Sequence, residues 1–150
     1  MKGKEIIDLC ESIAREAHKN QFRWDGKTSY ITHPEEVSKQ FHEYKEICVA
    51  WLHDVIEDTE ITREDLLERG VPSEIVDAVD LLTKQKGQSY LDYILKLKDS
   101  NNLLAINVKL ADMNHNKKTS NKNGKIKYEL SDFILTSGIC TFVGDCNMMI

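Results

Sequence analysis

Two histidines and two aspartates stand in segments that are otherwise apolar, and together they could hold a metal ion. His53 and Asp54 are adjacent inside the run EICVAWLHDVIE at 46–57, and Asp112 lies in a stretch rich in Leu, Ile and Val. His33 precedes a proline at the start of another predicted helix. Buried charges are retained mainly when they are paired or bind a metal. This mixed nitrogen and oxygen set suits Mn²⁺, Fe²⁺ or Zn²⁺ better than Ca²⁺.

Two further acidic residues accompany the histidine–aspartate pair. Helical spacing places Glu57 and Asp58 on the same face as His53 and Asp54. Apolar side chains occupy most of the remaining circumference of this predicted helix, which leaves little room for a solvated face. The pattern therefore favours a site that faces inward, with a solvated polar face as the alternative.

Helices are the elements that must position these residues. Only 2 Pro and 7 Gly occur in the 150 residues, too few for a chain of many short strands and tight turns. The spacing of apolar residues is interrupted at 22–32 and 121–124, where we predict turns. It predicts helices at 4–20, 46–57, 63–69, 88–99, 102–116 and 126–136, and two more that begin at Thr32 and at Ser73. We predict one all-α domain of about eight helices over 1–137, followed by an unassigned tail at 138–150.

Composition excludes several classes of protein. A 41% hydrophobic and 30% charged chain is typical of a soluble globular domain. The net charge of −5 makes it a poor partner for duplex nucleic acid. The charged N-terminus predicts no signal peptide, and the absence of a long apolar run predicts no membrane span, so we expect a cytoplasmic protein. The four cysteines are expected to be free thiols, with Cys10 and Cys48 in the core. The oligomeric state is not indicated.

A set of short motifs follows in order over residues 5–130. They are Ala17-His18, Gln21-Phe22-Arg23, Gly26, Tyr30-Ile31-x-His33-Pro34, Leu52-His53-Asp54-Val55-x-Glu57-Asp58-Thr59, Leu82-Thr83-Lys84 and Lys109-x-Ala111-Asp112-x-x-His115-Asn116. In these motifs the chain resembles the HD-domain hydrolases of the RelA/SpoT type, and most closely their small stand-alone members. The resemblance implies a single HD-domain helical bundle.

The same resemblance implies a reaction and its catalytic groups. Family members remove the 3′-pyrophosphate of guanosine 3′,5′-bis(diphosphate) (ppGpp) or its pentaphosphate (pppGpp), leaving GDP or GTP. The family metal ligands correspond to His33, His53, Asp54 and Asp112, and the family's catalytic acidic pair corresponds to Glu57 and Asp58. Mn²⁺ is the implied ion, with Fe²⁺, Zn²⁺ or Mg²⁺ as alternatives.

The resemblance also implies contacts with a small-molecule nucleotide substrate. Arg23 corresponds to a residue near the base, and Asn116 to one that contacts the sugar. Lys118 and Thr119 fall in the stretch that lines the nucleotide site. Stabilisation of phosphate charge is expected from three cations, which are Arg23, Lys27 and Lys109.

Two alternative functions stay open. The same fold and metal site could act on another nucleotide phosphate, such as NADPH. The chain could instead be a nucleotide-binding regulatory or antitoxin protein with little turnover. The complete set of metal ligands and the intact Glu57–Asp58 pair argue against the second alternative, because a protein that only binds would be free to lose them.

Overall fold

Helices build the whole architecture of residues 2–138, which are the residues that the computed structural model describes. The only strand-like pairing among them is a single antiparallel bridge between Phe22 and Ser29. The prediction of an all-α fold is confirmed. The helices are α1 (Lys2–Ala17), α2 (Thr32–Ser38), α3 (Tyr44–Leu52), α4 (Val55–Asp58), α5 (Arg63–Glu68), α6 (Ser73–Leu81), α7 (Tyr90–Asp99), α8 (Leu103–Lys117) and α9 (Lys122–Thr136).

Helix α3 forms the centre of the bundle. Its last five residues, from Cys48 to Leu52, are all buried. Helices α1, α2, α6 and α8 pack around it. Burying a side chain the size of Leu52 contributes ~1.5–3 kcal/mol, so this segment anchors α3 firmly. The residue that follows, His53, is thereby carried into the interior, where its side chain is 3% exposed.

The prediction of one continuous helix over 46–57 is wrong. Helix α3 ends at Leu52, and the single turn α4 begins at Val55 after Asp54 adopts φ −104° and ψ 0°. The His53 ring bonds to the carbonyl oxygen of Ala50 at 2.6 Å. This bond and the turn at Asp54 interrupt the helix, so that His53 and Asp54 face the same point in the interior.

The predicted turn at 121–124 is also wrong. Asn121 is the N-cap of α9, and its Oδ1 accepts a hydrogen bond from the backbone N–H of Gly124 at 2.9 Å. Asparagine at an N-cap satisfies a free N–H of the first helical turn. Helix α9 therefore begins at Lys122, earlier than the predicted 126. Helix α1 ends at Ala17, before the predicted 20.

Cys10 and Cys48 are buried free thiols, as predicted. No helix among residues 2–138 is long and apolar enough to cross a membrane. The predicted tail lies outside the described residues from position 139 onward, and so do the remaining two cysteines.

Candidate metal centre

His33, His53 and Asp112 come together from α2, the end of α3 and α8. All three are buried, and each offers a ligand atom within 4.8 Å of the others. His33 Nε2 lies 2.7 Å from Asp112 Oδ1 and 3.2 Å from His53 Nε2. The structure therefore joins three of the four predicted ligands into a group that can hold a divalent metal ion.

The hydrogen bonds of the two histidines determine which nitrogen faces the centre. His53 Nδ1 must be protonated, because its partner, the Ala50 carbonyl oxygen, is only an acceptor. His53 Nε2 is then the nitrogen that faces the centre, and it can bind a metal ion once it has lost its proton. His33 Nδ1 lies 2.7 Å from His115 Nδ1, which gives the outer nitrogen of that ring a partner as well. Outer hydrogen bonds of this kind orient metal-binding imidazoles. Two imidazole nitrogens beside a carboxylate fit Mn²⁺, Fe²⁺ or Zn²⁺.

Asp54, the fourth predicted ligand, lies beside this three-residue group. Its Oδ2 is 3.1 Å from His53 Nε2 and 3.8 Å from His33 Nε2. The same oxygen accepts a hydrogen bond of 2.5 Å from the Tyr30 hydroxyl. Burial alone would raise the pKa of Asp54, but the neighbouring His53 outweighs burial and lowers it. Asp54 is thus held as a carboxylate at the edge of the centre.

Asp112 is held by residues one turn away on α8. Lys109 Nζ donates to its Oδ2 at 2.9 Å, and Asn116 Nδ2 donates to its Oδ1 at 3.1 Å. Burial opposes ionisation of Asp112, yet the charge of Lys109 and the bond from His33 keep its pKa well below the ordinary value. The carboxylate is therefore ionised and aimed at the two histidines.

The predicted catalytic pair, Glu57 and Asp58, lies on α4 directly after the centre. Glu57 Oε1 accepts a bond from the backbone N–H of Lys84 at 2.7 Å, and the Tyr30 hydroxyl is 3.4 Å from Asp58 Oδ2. Burial, together with Asp54 and Glu57, raises the pKa of Asp58 to about 6. Burial also raises the pKa of Glu57. Both carboxyl groups can therefore exchange protons closer to neutral pH than ordinary ones.

An open cleft of about 320 Å³ lies above the centre and connects it to solvent. Three predicted substrate contacts line the cleft, namely Arg23, Lys109 and Asn116, whereas Lys27, Lys118 and Thr119 are not among its lining residues. Lys27 lies in the exposed 25–28 loop, and Lys118 follows the last residue of α8. The cleft is lined by Phe22, Arg23, Trp24, Tyr30, His33, Asp54, Glu57, Asp58, Lys84, Tyr90, Lys109, Asp112, Asn116 and Tyr128.

Arg23 is fixed in the cleft by three contacts. Its guanidinium carbon lies 4.5 Å from the centre of the Trp24 ring and 5.9 Å from that of Tyr30. Its Nη2 donates to Asn116 Oδ1 at 3.1 Å, and Asn116 in turn donates to Asp112. The two residues predicted to contact base and sugar are thus coupled to each other and to the metal centre.

Several cleft residues were not predicted as site residues from the sequence. Tyr30 and Lys84 are part of the sequence motifs given above, and these motifs could have identified them as site residues. Trp24 is 62% exposed in a polar loop, and an exposed tryptophan in such a loop is a signal of a binding surface. Tyr90 and Tyr128 lie on α7 and α9, and their helical spacing gave no indication that they reach the cleft.

Comparison with known proteins relates the chain to one group of curated sequences. It is 40% identical over 121 residues to guanosine-3′,5′-bis(diphosphate) 3′-pyrophosphohydrolase of Haemophilus influenzae. Identity to the bifunctional (p)ppGpp synthase/hydrolase SpoT of Escherichia coli K12 is 35% over 121 residues. Each match covers 71% of this chain and 17% of the relative, so the chain spans about a sixth of the length of these proteins. No family model matches the chain.

A solved structure shares the fold. It is described as a metazoan ortholog of SpoT that hydrolyses ppGpp, and it superposes with a TM-score of 0.70 at 21% sequence identity. The match covers 87% of this chain and 83% of that one. The relatives, the shared fold and the motifs around His53 and Asp112 confirm the resemblance of this chain to the HD-domain hydrolases of the RelA/SpoT type.

Proposed function

We propose that the chain hydrolyses ppGpp and pppGpp at the 3′ position, releasing pyrophosphate and leaving GDP or GTP, with Mn²⁺ bound at the centre. The observation that carries this proposal is the convergence of His33, His53 and Asp112 beside a cleft. Glu57 and Asp58 line this cleft together with His33 and Asp112. The names of the curated relatives support the choice of substrate.

The ligands of the ion would be His33, His53 and Asp112, with Asp54 beside them. When bound, a divalent ion supplies Lewis acidity that activates water and withdraws charge from phosphoryl oxygens. In the hydrolysis, the oxygen of water bonds to the phosphorus attached to the ribose 3′-oxygen, and the bond from that phosphorus to the 3′-oxygen breaks. One proton must leave the water, and one must reach the 3′-oxygen.

Glu57 and Asp58 are the groups placed to manage these protons. A carboxyl group whose pKa is about 6, as for Asp58, is close to equally protonated and ionised just below neutral pH. Lys84 and Arg23 line the same cleft and supply positive charge toward phosphate oxygens. Lys109 is bound to Asp112 at 2.9 Å, so its first role is to hold that ligand.

Product analysis tests the proposal. Purified protein is incubated with ppGpp and Mn²⁺, and GDP and pyrophosphate are quantified with and without a chelator. We expect one pyrophosphate for each GDP, loss of turnover with the chelator, and full activity in Glu60→Gln, since Glu60 is exposed and is not among the residues lining the cleft. Orthophosphate release from NADPH with ppGpp left intact would refute the choice of substrate. Tight nucleotide binding without any product would refute hydrolysis.

A further inference from the structure

The side chain of Gln21 bridges the end of α1 and the end of α4. Its Nε2 donates to the backbone carbonyl oxygen of Asp58 at 2.9 Å, and its Oε1 lies 2.7 Å from His18 Nδ1. Because the Asp58 carbonyl can only accept, the amide nitrogen must face it, and this fixes the orientation of the Gln21 amide. The amide oxygen then faces His18, so His18 Nδ1 is the donor.

His18 is fully buried, and one of its nitrogens is left without a partner. With the proton on Nδ1, Nε2 carries a lone pair, and no hydrogen-bonding group of the described residues reaches it. A buried acceptor without a partner costs free energy, which an apolar side chain at this position would avoid. Among the described residues, the hydrogen bond to Gln21 is therefore the polar contact through which the buried imidazole can stabilise the fold. Its ring also packs on Tyr30, with the ring centres 4.9 Å apart.

Helix α4 depends for its stability on contacts with residues outside the helix. It is a single turn of four residues, too short to be stable alone, and its last carbonyl groups have no partners within the helix. The Gln21 amide satisfies one of them, that of Asp58. The Gln21 carbonyl also accepts the backbone N–H of Tyr30 at 2.8 Å, and the Tyr30 hydroxyl donates to Asp54. One residue thus holds both the acidic turn and the tyrosine that contacts the metal centre.

We propose that Gln21, oriented by His18, is a positioning residue that fixes the Glu57–Asp58 turn against the metal centre. Gln21 is not among the residues that line the cleft, so it acts through α4 and not by touching substrate. The catalytic consequence rests on the proposed function, whereas the structural consequence for α4 does not.

The decisive variant is Gln21→Glu, which keeps the size of the side chain and its acceptor toward His18 but removes the N–H that binds the Asp58 carbonyl. A displacement of about 1 Å at reacting groups can lower a rate ~10²-fold, so we expect kcat for ppGpp to fall at least ~10-fold. KM and the affinity for Mn²⁺ should stay within about twofold. The matched control is Asn107→Ala, which removes an amide bond of 3.0 Å to Glu46 and leaves the cleft untouched.

Hydrogen exchange gives a second measurement that does not need turnover. The amides of Asp58 and Thr59 bond to the carbonyls of Asp54 and Val55 at 2.9 and 3.1 Å, and they should exchange at least ~10-fold faster in Gln21→Glu. Should this variant not fold, His18→Phe tests the same bridge, because it removes the donor to Gln21 and also the unpartnered nitrogen. We expect the same direction of change in kcat and exchange.

The two measurements separate the two proposals. Unchanged exchange and unchanged kcat per folded molecule in Gln21→Glu would overturn the positioning role and leave the hydrolase activity standing. Faster exchange in a protein whose wild type does not hydrolyse ppGpp would refute the proposed function and support the bridge. Faster exchange with unchanged kcat would restrict Gln21 to stabilising α4 and overturn its effect on catalysis.

Discussion

Lys109→Met removes the cation that neutralises Asp112 inside the protein. The two side chains are 12% and 7% exposed, and Lys109 Nζ lies 2.9 Å from Asp112 Oδ2. Breaking one partner of a buried ion pair costs ~3–5 kcal/mol, because the other charge stays buried without compensation. Asp112 keeps its bonds to His33 and Asn116, so we expect the lower end, ~3 kcal/mol.

The assay is unfolding of the metal-free protein. For a protein of this size, ~3 kcal/mol lowers Tm by about 6–12 °C. Saturating Mn²⁺ should reduce the difference, since the ion supplies positive charge to Asp112 in place of Lys109. Lys117→Met is the matched control on the same helix. Its ion pair with Asp132 spans 3.8 Å and is partly exposed, so its loss should cost ~0–1 kcal/mol. If the metal-free Lys109→Met protein is as stable as the metal-free Lys117→Met control, the reasoning is refuted.

Four further substitutions test the acidic pair, the cleft and the neighbouring 25–28 loop. Glu57→Gln and Asp58→Asn should keep the metal but lose ~10²–10⁴-fold in kcat, as measured by pyrophosphate release. If both variants release pyrophosphate as fast as the Glu60→Gln control, the pair is only a solvated helix face. Arg23→Ala should raise KM for ppGpp more than it lowers kcat, because its contacts are shared by ground and transition states; a loss confined to kcat would contradict this. Asp25→Ala removes the acceptor of two backbone N–H groups in the 25–28 loop, and the loop amides should exchange faster. The hydrogen bonds lower the Asp25 pKa from 3.8 to about 2, so the loop's protection should be complete above about pH 4 and lost as the pH falls toward 2; protection that does not change over this range would contradict it.

The metal ligands could be predicted from the sequence because their types conflict with their surroundings. His53 and Asp54 interrupt the most apolar run in the chain, and only a site that uses them makes their burial favourable. The break that separates α3 from α4 could not be predicted in the same way, since neither Gly nor Pro marks it. It comes from the His53 ring bonding to Ala50 and from contacts made by Asp54 in the folded protein.

Other features of the structure could not be predicted from the sequence, each for its own physical reason. Asparagine favours both turns and N-caps, so the segment at 121–124 matched a turn although Asn121 caps α9. Lys118 and Thr119 follow the last residue of α8, and their positions depend on how the chain leaves that helix. The bridge through Gln21 joins positions 37 residues apart in sequence, a pairing that spacing alone does not reveal.

Binding of Mn²⁺ to chelator-treated protein tests the central claim most directly. Titration calorimetry of the wild type should show one ion per chain, and His53→Ala and Asp112→Ala should abolish or strongly weaken binding while circular dichroism shows intact helices. His42→Ala, which removes an exposed histidine that is not part of the centre, should bind like the wild type. Equal affinity and stoichiometry in the wild type and in both centre variants would contradict the assignment of the metal site.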